Sequence, residues 1–317
     1  MTDKQINKWL RRRFSPIGWL LLLCHGLMLL LTSLTAVADM AKQSLWAFAT
    51  GDFSGTINWD AIYANAWGYL AAIAVGFVVL DAWRGSDYRK REIFRKEAPM
   101  KAGSFLCFLF FCMGAQMLNS IWITLLELLL YPFGKSLMPL LESVAGSSDT
   151  FSMFLYASVV APIWEELLFR GYILRTLRPF GKRFSVLVSA LLFGLFHGNL
   201  LQTPYAVVIG LVLGYVTVEY SIGWAIVMHM FNNLVLADLL TRLTASWSDM
   251  AYGSLNLILF GGSAIISLLI LIGKRSSIRS YRKGEWMDRR CLRCFFTSTG
   301  ILVFLLAMGI NMLTLFL

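Results

Sequence analysis

Charge is scarce in this chain: only 15% of its 317 residues are Asp, Glu, Lys or Arg, against 58% hydrophobic ones. A soluble domain of that length has nowhere to hide so much apolar surface, which excludes an ordinary aqueous enzyme. Cysteine is scarce too, and its five residues are too scattered for a disulfide framework. Cys24, Cys107 and Cys112 fall inside apolar runs, and Cys291 and Cys294 read as two free thiols. There is no low-complexity tract, no repeat and no polar linker able to separate two soluble domains, so residues 1–317 read as one membrane domain. Gly134-Lys135-Ser136 lacks the earlier glycine of a phosphate-binding loop, Leu129 standing there, and nucleotide binding is rejected. No G-x-S-x-G offers a serine nucleophile. Asp81 and Asp238 lie near the ends of apolar runs, where they do not form an intramembrane aspartate pair. H-E-x-x-H is absent as well, so nothing local forces zinc.

What the chain has in abundance is long apolar runs: 17–38, 64–83, 103–131, 150–174, 204–220, 223–241, 254–273 and 297–317. About twenty residues suffice for one crossing. A shorter run at 184–197 makes the expectation eight to nine membrane helices in an all-α polytopic transmembrane bundle with a buried catalytic cavity. Basic residues cluster before the first run, in 84–101, in 175–183 and in 274–293, leaving only Arg170, Lys42, Lys135 and Arg242 of the 28 elsewhere. Such segregation marks the cytoplasmic side. With nine crossings the N-terminus lies in the cytoplasm and the C-terminus outside. The formal charge of +10 then needs no nucleic-acid partner, since the bias and attraction to anionic lipid account for it. The first run, ending near Ala36-Val37-Ala38, also resembles a cleavable signal, although it is long for one.

An ionisable residue inside a span is costly and marks a candidate functional site. The run 150–174 contains Ala161-Pro162-Ile163-Trp164-Glu165-Glu166-Leu167-Leu168-Phe169-Arg170-Gly171. Helical geometry lets Glu166 pair with Arg170 four residues on, while Glu165 points elsewhere and stays available. Of three histidines, His25 has no polar neighbour and reads as a core residue. His197 ends Phe193-Gly194-Leu195-Phe196-His197, and His229 shares a helix face with Asn233. Glu165 with His197 would deprotonate a water, and His229 with Asn233 would hold the oxyanion of a cleaved peptide. Gln116, Asn119 and Glu127 in the run 103–131 read as helix-packing groups.

E-E-x-x-x-R, F-x-x-x-H and H-x-x-x-N on successive membrane helices resemble the CPBP family, the CAAX-processing and bacteriocin-immunity intramembrane proteases. The resemblance covers residues 150–241, the catalytic core. It implies an intramembrane endopeptidase with Glu165, His197, His229 and Asn233 catalytic, and Glu166, Arg170 and Phe193 supporting. Its substrate would be a peptide or protein, membrane-associated in some relatives. Glu165, His197 and His229 could hold a divalent metal such as zinc, although a glutamate-activated water without metal is the favoured reading. The alternative is a non-proteolytic membrane scaffold or a bacteriocin self-immunity protein. A transporter would show paired, glycine-broken helices in two halves, which the sequence lacks. Short loops suggest a bacterial cell membrane.

Overall fold

In the computed structural model, residues 1–317 are described except for 53–56, 139–140, 142–149, 285–286 and 315–317. The C-terminal residues 315–317, expected on the outer side, lie outside the described residues. Among the described residues there are helices and no strand. That outcome follows from the apolar composition, because in lipid a segment must satisfy its own backbone hydrogen bonds.

The main helices are α1 (Asp3–Thr50), α2 (Trp67–Arg84), α3 (Ala102–Leu130), α4 (Phe151–Phe180), α5 (Lys182–Phe196), α6 (Thr203–Glu219), α7 (Ile222–Leu243) and α8 (Asp249–Gly273). They are followed by α9 (Arg275–Gly284), α10 (Arg289–Phe296) and α11 (Thr299–Thr314). The described parts of the nine apolar runs are therefore mainly helical, but their lengths do not confirm the expected count of eight to nine crossings. Among the described residues six helices are long and apolar enough to cross a membrane, or seven if α10 and α11, bent by 63°, make one broken span. The 15 residues of α5 and 17 of α6 rise only about 22 and 25 Å, short of a hydrocarbon core of roughly 30 Å.

Phe14, Ile17 and Leu21 of α1 are fully buried and join one core with Leu168, Phe184, Phe193 and Phe295. Cutting near Ala38 would remove a wall of the bundle. Cys291 and Cys294 are buried free thiols, the latter donating to Asn7 Oδ1 at 3.5 Å. Close approach is made by small residues, as in membrane bundles generally. The indole of Trp164 on α4 lies over Gly76 of α2, and a Cβ on Gly210 of α6 would come within 3.0 Å of Ala190 on α5. These contacts draw α4 to α2 and α6 to α5.

Candidate active site between the fourth, fifth and seventh helices

The glutamate-bearing stretch of α4 is not a uniform α-helix. Tyr156–Val160 and Leu167–Leu174 are π-helical and flank the regular turns Ala161–Glu166. Pro162 explains the first irregularity, since proline has no N–H and crowds the preceding turn. The Ala161 N–H bonds to Tyr156 O in the wide π pattern. In the same pattern Ala157 O would be met by the nitrogen of Pro162, which carries no hydrogen. A buried carbonyl left this way needs another donor. Asn233 Nδ2, from α7, donates to Ala157 O at 3.0 Å.

Glu166 and Arg170 are both fully buried, and their Oε1 and Nη1 lie 2.9 Å apart. The one-turn pairing read from the sequence is thus present. The same Glu166 oxygen also meets His229 Nδ1 at 2.9 Å. A carboxylate beside a guanidinium only accepts, so His229 Nδ1 carries the hydrogen and donates. This leaves Nε2 directed at Glu165, whose Oε2 is 3.6 Å away. That distance exceeds a direct hydrogen bond, and a small group bonded to both atoms would sit beside the pair. Glu165 keeps 18% of its side-chain surface accessible, against none for Glu166. The adjacent glutamates therefore have different surroundings: one is locked in a triad with Arg170 and His229, and the other faces open space beside the same imidazole.

Phe193, on α5, organises the neighbourhood. The Arg170 guanidinium carbon stands 4.3 Å from its ring centre, and both imidazoles meet the ring edge-on, His197 at 5.0 Å and His229 at 5.8 Å. His197 donates through Nδ1 to Phe193 O at 2.9 Å, at the point where α5 ends before Gly198 with φ +64°. Of the expected site imidazoles, the one that stands within 4 Å of Glu165 among the described contacts is that of His229. The reason is α7: its packing against α4 carries His229 across to both glutamates.

A further chain of hydrogen bonds reaches Asn233. Gln116 of α3 donates to Tyr205 Oη at 2.6 Å, Tyr205 donates to Asn232 Oδ1 at 2.7 Å, and Asn232 Nδ2 donates to Asn233 Oδ1 at 3.1 Å. With its oxygen filled and one amide hydrogen on Ala157 O, Asn233 keeps its second hydrogen for another acceptor. Tyr205 and Asn232 escaped sequence reasoning. Asn232 adjoins a motif residue, but Tyr205 is 27 residues away and carries no local sign of its role. Glu127 accepts from Leu137 N and Ser136 Oγ, both at 2.7 Å, and ties down the loop after α3. His25 packs edge-on against Phe196.

Among the described residues, no three His, Cys, Asp or Glu side chains gather in a way that could hold a metal ion. Both imidazoles turn Nδ1 to a protein acceptor, His229 to Glu166 and His197 to the Phe193 carbonyl, which leaves Nε2 as the outward nitrogen of each.

Residues 147–235 match the family model described as type II CAAX prenyl endopeptidase Rce1-like. The matched stretch contains both glutamates, Arg170, Phe193, both imidazoles and Asn233. No curated protein and no solved structure matches the chain.

Proposed function

We propose, from the Rce1-like match over residues 147–235, that this protein is an intramembrane endopeptidase of the CPBP type, hydrolysing a peptide bond with a water activated by Glu165. The observation that carries the reading is the arrangement of His229 between two unequal glutamates, 2.9 Å from Glu166 and 3.6 Å from Glu165. A dry site favours overall neutrality. Glu166 and Arg170 cancel, so Glu165 and His229 balance when they share one proton beyond the Nδ1–H.

In the proposed cycle a water lies beside Glu165 Oε2 and His229 Nε2, within hydrogen-bond reach of both. Glu165 takes its proton as the water oxygen attacks the peptide carbonyl. The oxyanion accepts from His229 Nε2–H and from the spare amide hydrogen of Asn233. Glu165 then returns the proton to the leaving nitrogen, and the C–N bond breaks. His197, held by Phe193 O, offers Nε2 to orient water or substrate. Arg170, Glu166 and Phe193 keep the imidazole in its tautomer and place. No step is routed through a metal.

Glu165 precedes the basic cluster at Arg175 by ten residues, roughly 15 Å of helix. With that cluster cytoplasmic, cleavage occurs in the inner half of the bilayer, on a peptide or protein entering from that side. The experiment is turnover of a membrane peptide by the purified protein, wild type against Glu165→Gln. Loss of cleavage with unchanged folding is expected, and normal cleavage ends the proposal. If a biological phenotype survives in the inactive variant, the scaffold or immunity role takes its place.

A further inference from the structure

Away from the glutamates, a cavity of about 760 Å³ opens among the first turns of α1, the end of α2 and the end of α4. Four arginines line it: Arg12, Arg13, Arg84 and Arg175. Glu92 is the one carboxylate in its wall. The positive-inside bias accounts for basic residues at this end of the bundle, but it does not require them to converge on a concave, pre-shaped site.

The arginines are held in place. Arg84 donates to Thr176 Oγ1 at 2.6 Å, and its guanidinium lies over Trp83 at 4.8 Å and Tyr88 at 5.2 Å. Arg13 stands over Trp9. Arg175 is only 6% exposed; its terminal nitrogens reach Glu97 and Arg95 O, yet its buried Nε has no partner. A donor buried without an acceptor is costly and points to an absent one. Arg12 is exposed. It also borders a second cavity that contains Lys4, Lys8 and Arg11. Burial pushes the Tyr88 hydroxyl above its usual range, so it adds no negative charge.

Guanidinium groups with fixed donors are suited to phosphate oxygens. The surroundings favour a lipid as the source of that phosphate. Tryptophan and tyrosine beside arginine are the residues of the headgroup layer. Trp19 and Leu23, two and three turns along α1 on the Arg12 face, are each 49% exposed and offer an apolar track for an acyl chain. We propose that this cavity binds the phosphate of an anionic phospholipid, gripped by Arg12, Arg84 and Arg175, so that the lipid joins α1, α2 and the end of the glutamate-bearing helix.

The test is native mass spectrometry of the purified full chain with phosphatidylglycerol or phosphatidylcholine, alongside competition by glycerol 3-phosphate. Phosphatidylglycerol should be retained preferentially, and Arg12→Gln and Arg84→Gln should each weaken it by at least about tenfold, the value of one charge-assisted contact. Lys90→Gln and Arg91→Gln, on the same side but outside the cavity, should leave it unchanged. Arg12→Gln touches no structural contact, so the test survives if Arg84→Gln misfolds. Equal retention of both lipids overturns the proposal. So does equal weakening by the two control variants, which would mean diffuse surface charge. Glycerol 3-phosphate binding that depends on Arg12, without any preference for phosphatidylglycerol, overturns the lipid assignment in favour of a soluble phosphate ester.

Discussion

Helices α4 and α8 reverse the rule that the most apolar segment lies deepest. Of the six long helices α8 is the most apolar, yet only 11% of its apolar stretch is buried against protein, whereas α4 is among the least apolar and has 50% buried. Lipid tails are as apolar as leucine, so α8 gains nothing by hiding Ile265, Leu268 and Leu269 and leaves them outward. Glu166 and Arg170 cannot face lipid at acceptable cost, and their helix goes to the middle. Between these two helices burial follows polarity, and the candidate site sits where the polarity is.

The contrast between the two helices can be tested at several points. The largest effect is expected from Glu165→Gln, which should cut turnover by roughly 10² to 10⁴-fold, the usual contribution of a positioned general base. Its melting temperature in detergent should stay near wild type, because Glu165 has no obligate ion-pair partner. Arg170→Ala should instead cost about 3 to 5 kcal/mol, since Glu166 would be left charged and fully buried. Its accumulation in membranes and thermal unfolding would reveal this. Should Arg170→Ala and Glu165→Gln unfold alike, the division between the adjacent glutamates is wrong.

A finer comparison sets the amide chain against the residue it orients. Asn233→Ala should lower turnover by roughly 10² to 10³-fold, as loss of an oxyanion donor does. Tyr205→Phe removes the hydroxyl linking Gln116 to Asn232 and should reduce kcat by about tenfold with KM unchanged, the scale of one hydrogen bond. A change in KM alone would make Tyr205 a substrate-binding or purely structural residue. At the small end, Leu269→Ala on α8, 61% exposed, should alter stability by less than about 0.5 kcal/mol. A larger loss in a denaturation series would mean that a protein surface, and not lipid, covers α8.

Much of the architecture was legible before any coordinates. Apolar runs became helices because in lipid no other open segment satisfies its backbone. The Glu166–Arg170 pair followed from one turn of helix. The crossing count was less legible, because α6 has the composition of a span without the length, and α5 is shorter still. The site was legible as a set of residues but not as a set of contacts. Nothing in the spacing within α7 indicates that His229 reaches both glutamates, while Asn233 turns to a carbonyl stranded by Pro162.

The sequence by itself determined that the chain lives in a membrane, which segments are helical, and which few polar residues must be sheltered there. These are properties of composition and of periods shorter than two turns, where chemistry and geometry are local. Only the tertiary structure decided which imidazole faces the free glutamate, how Gln116, Tyr205 and Asn232 orient an amide, and where four arginines converge. The hydrogen bonds of the amide chain join helices through residues 27 to 116 positions apart, and packing between helices, to which small residues such as Gly76 and Gly210 contribute, brings such distant residues together.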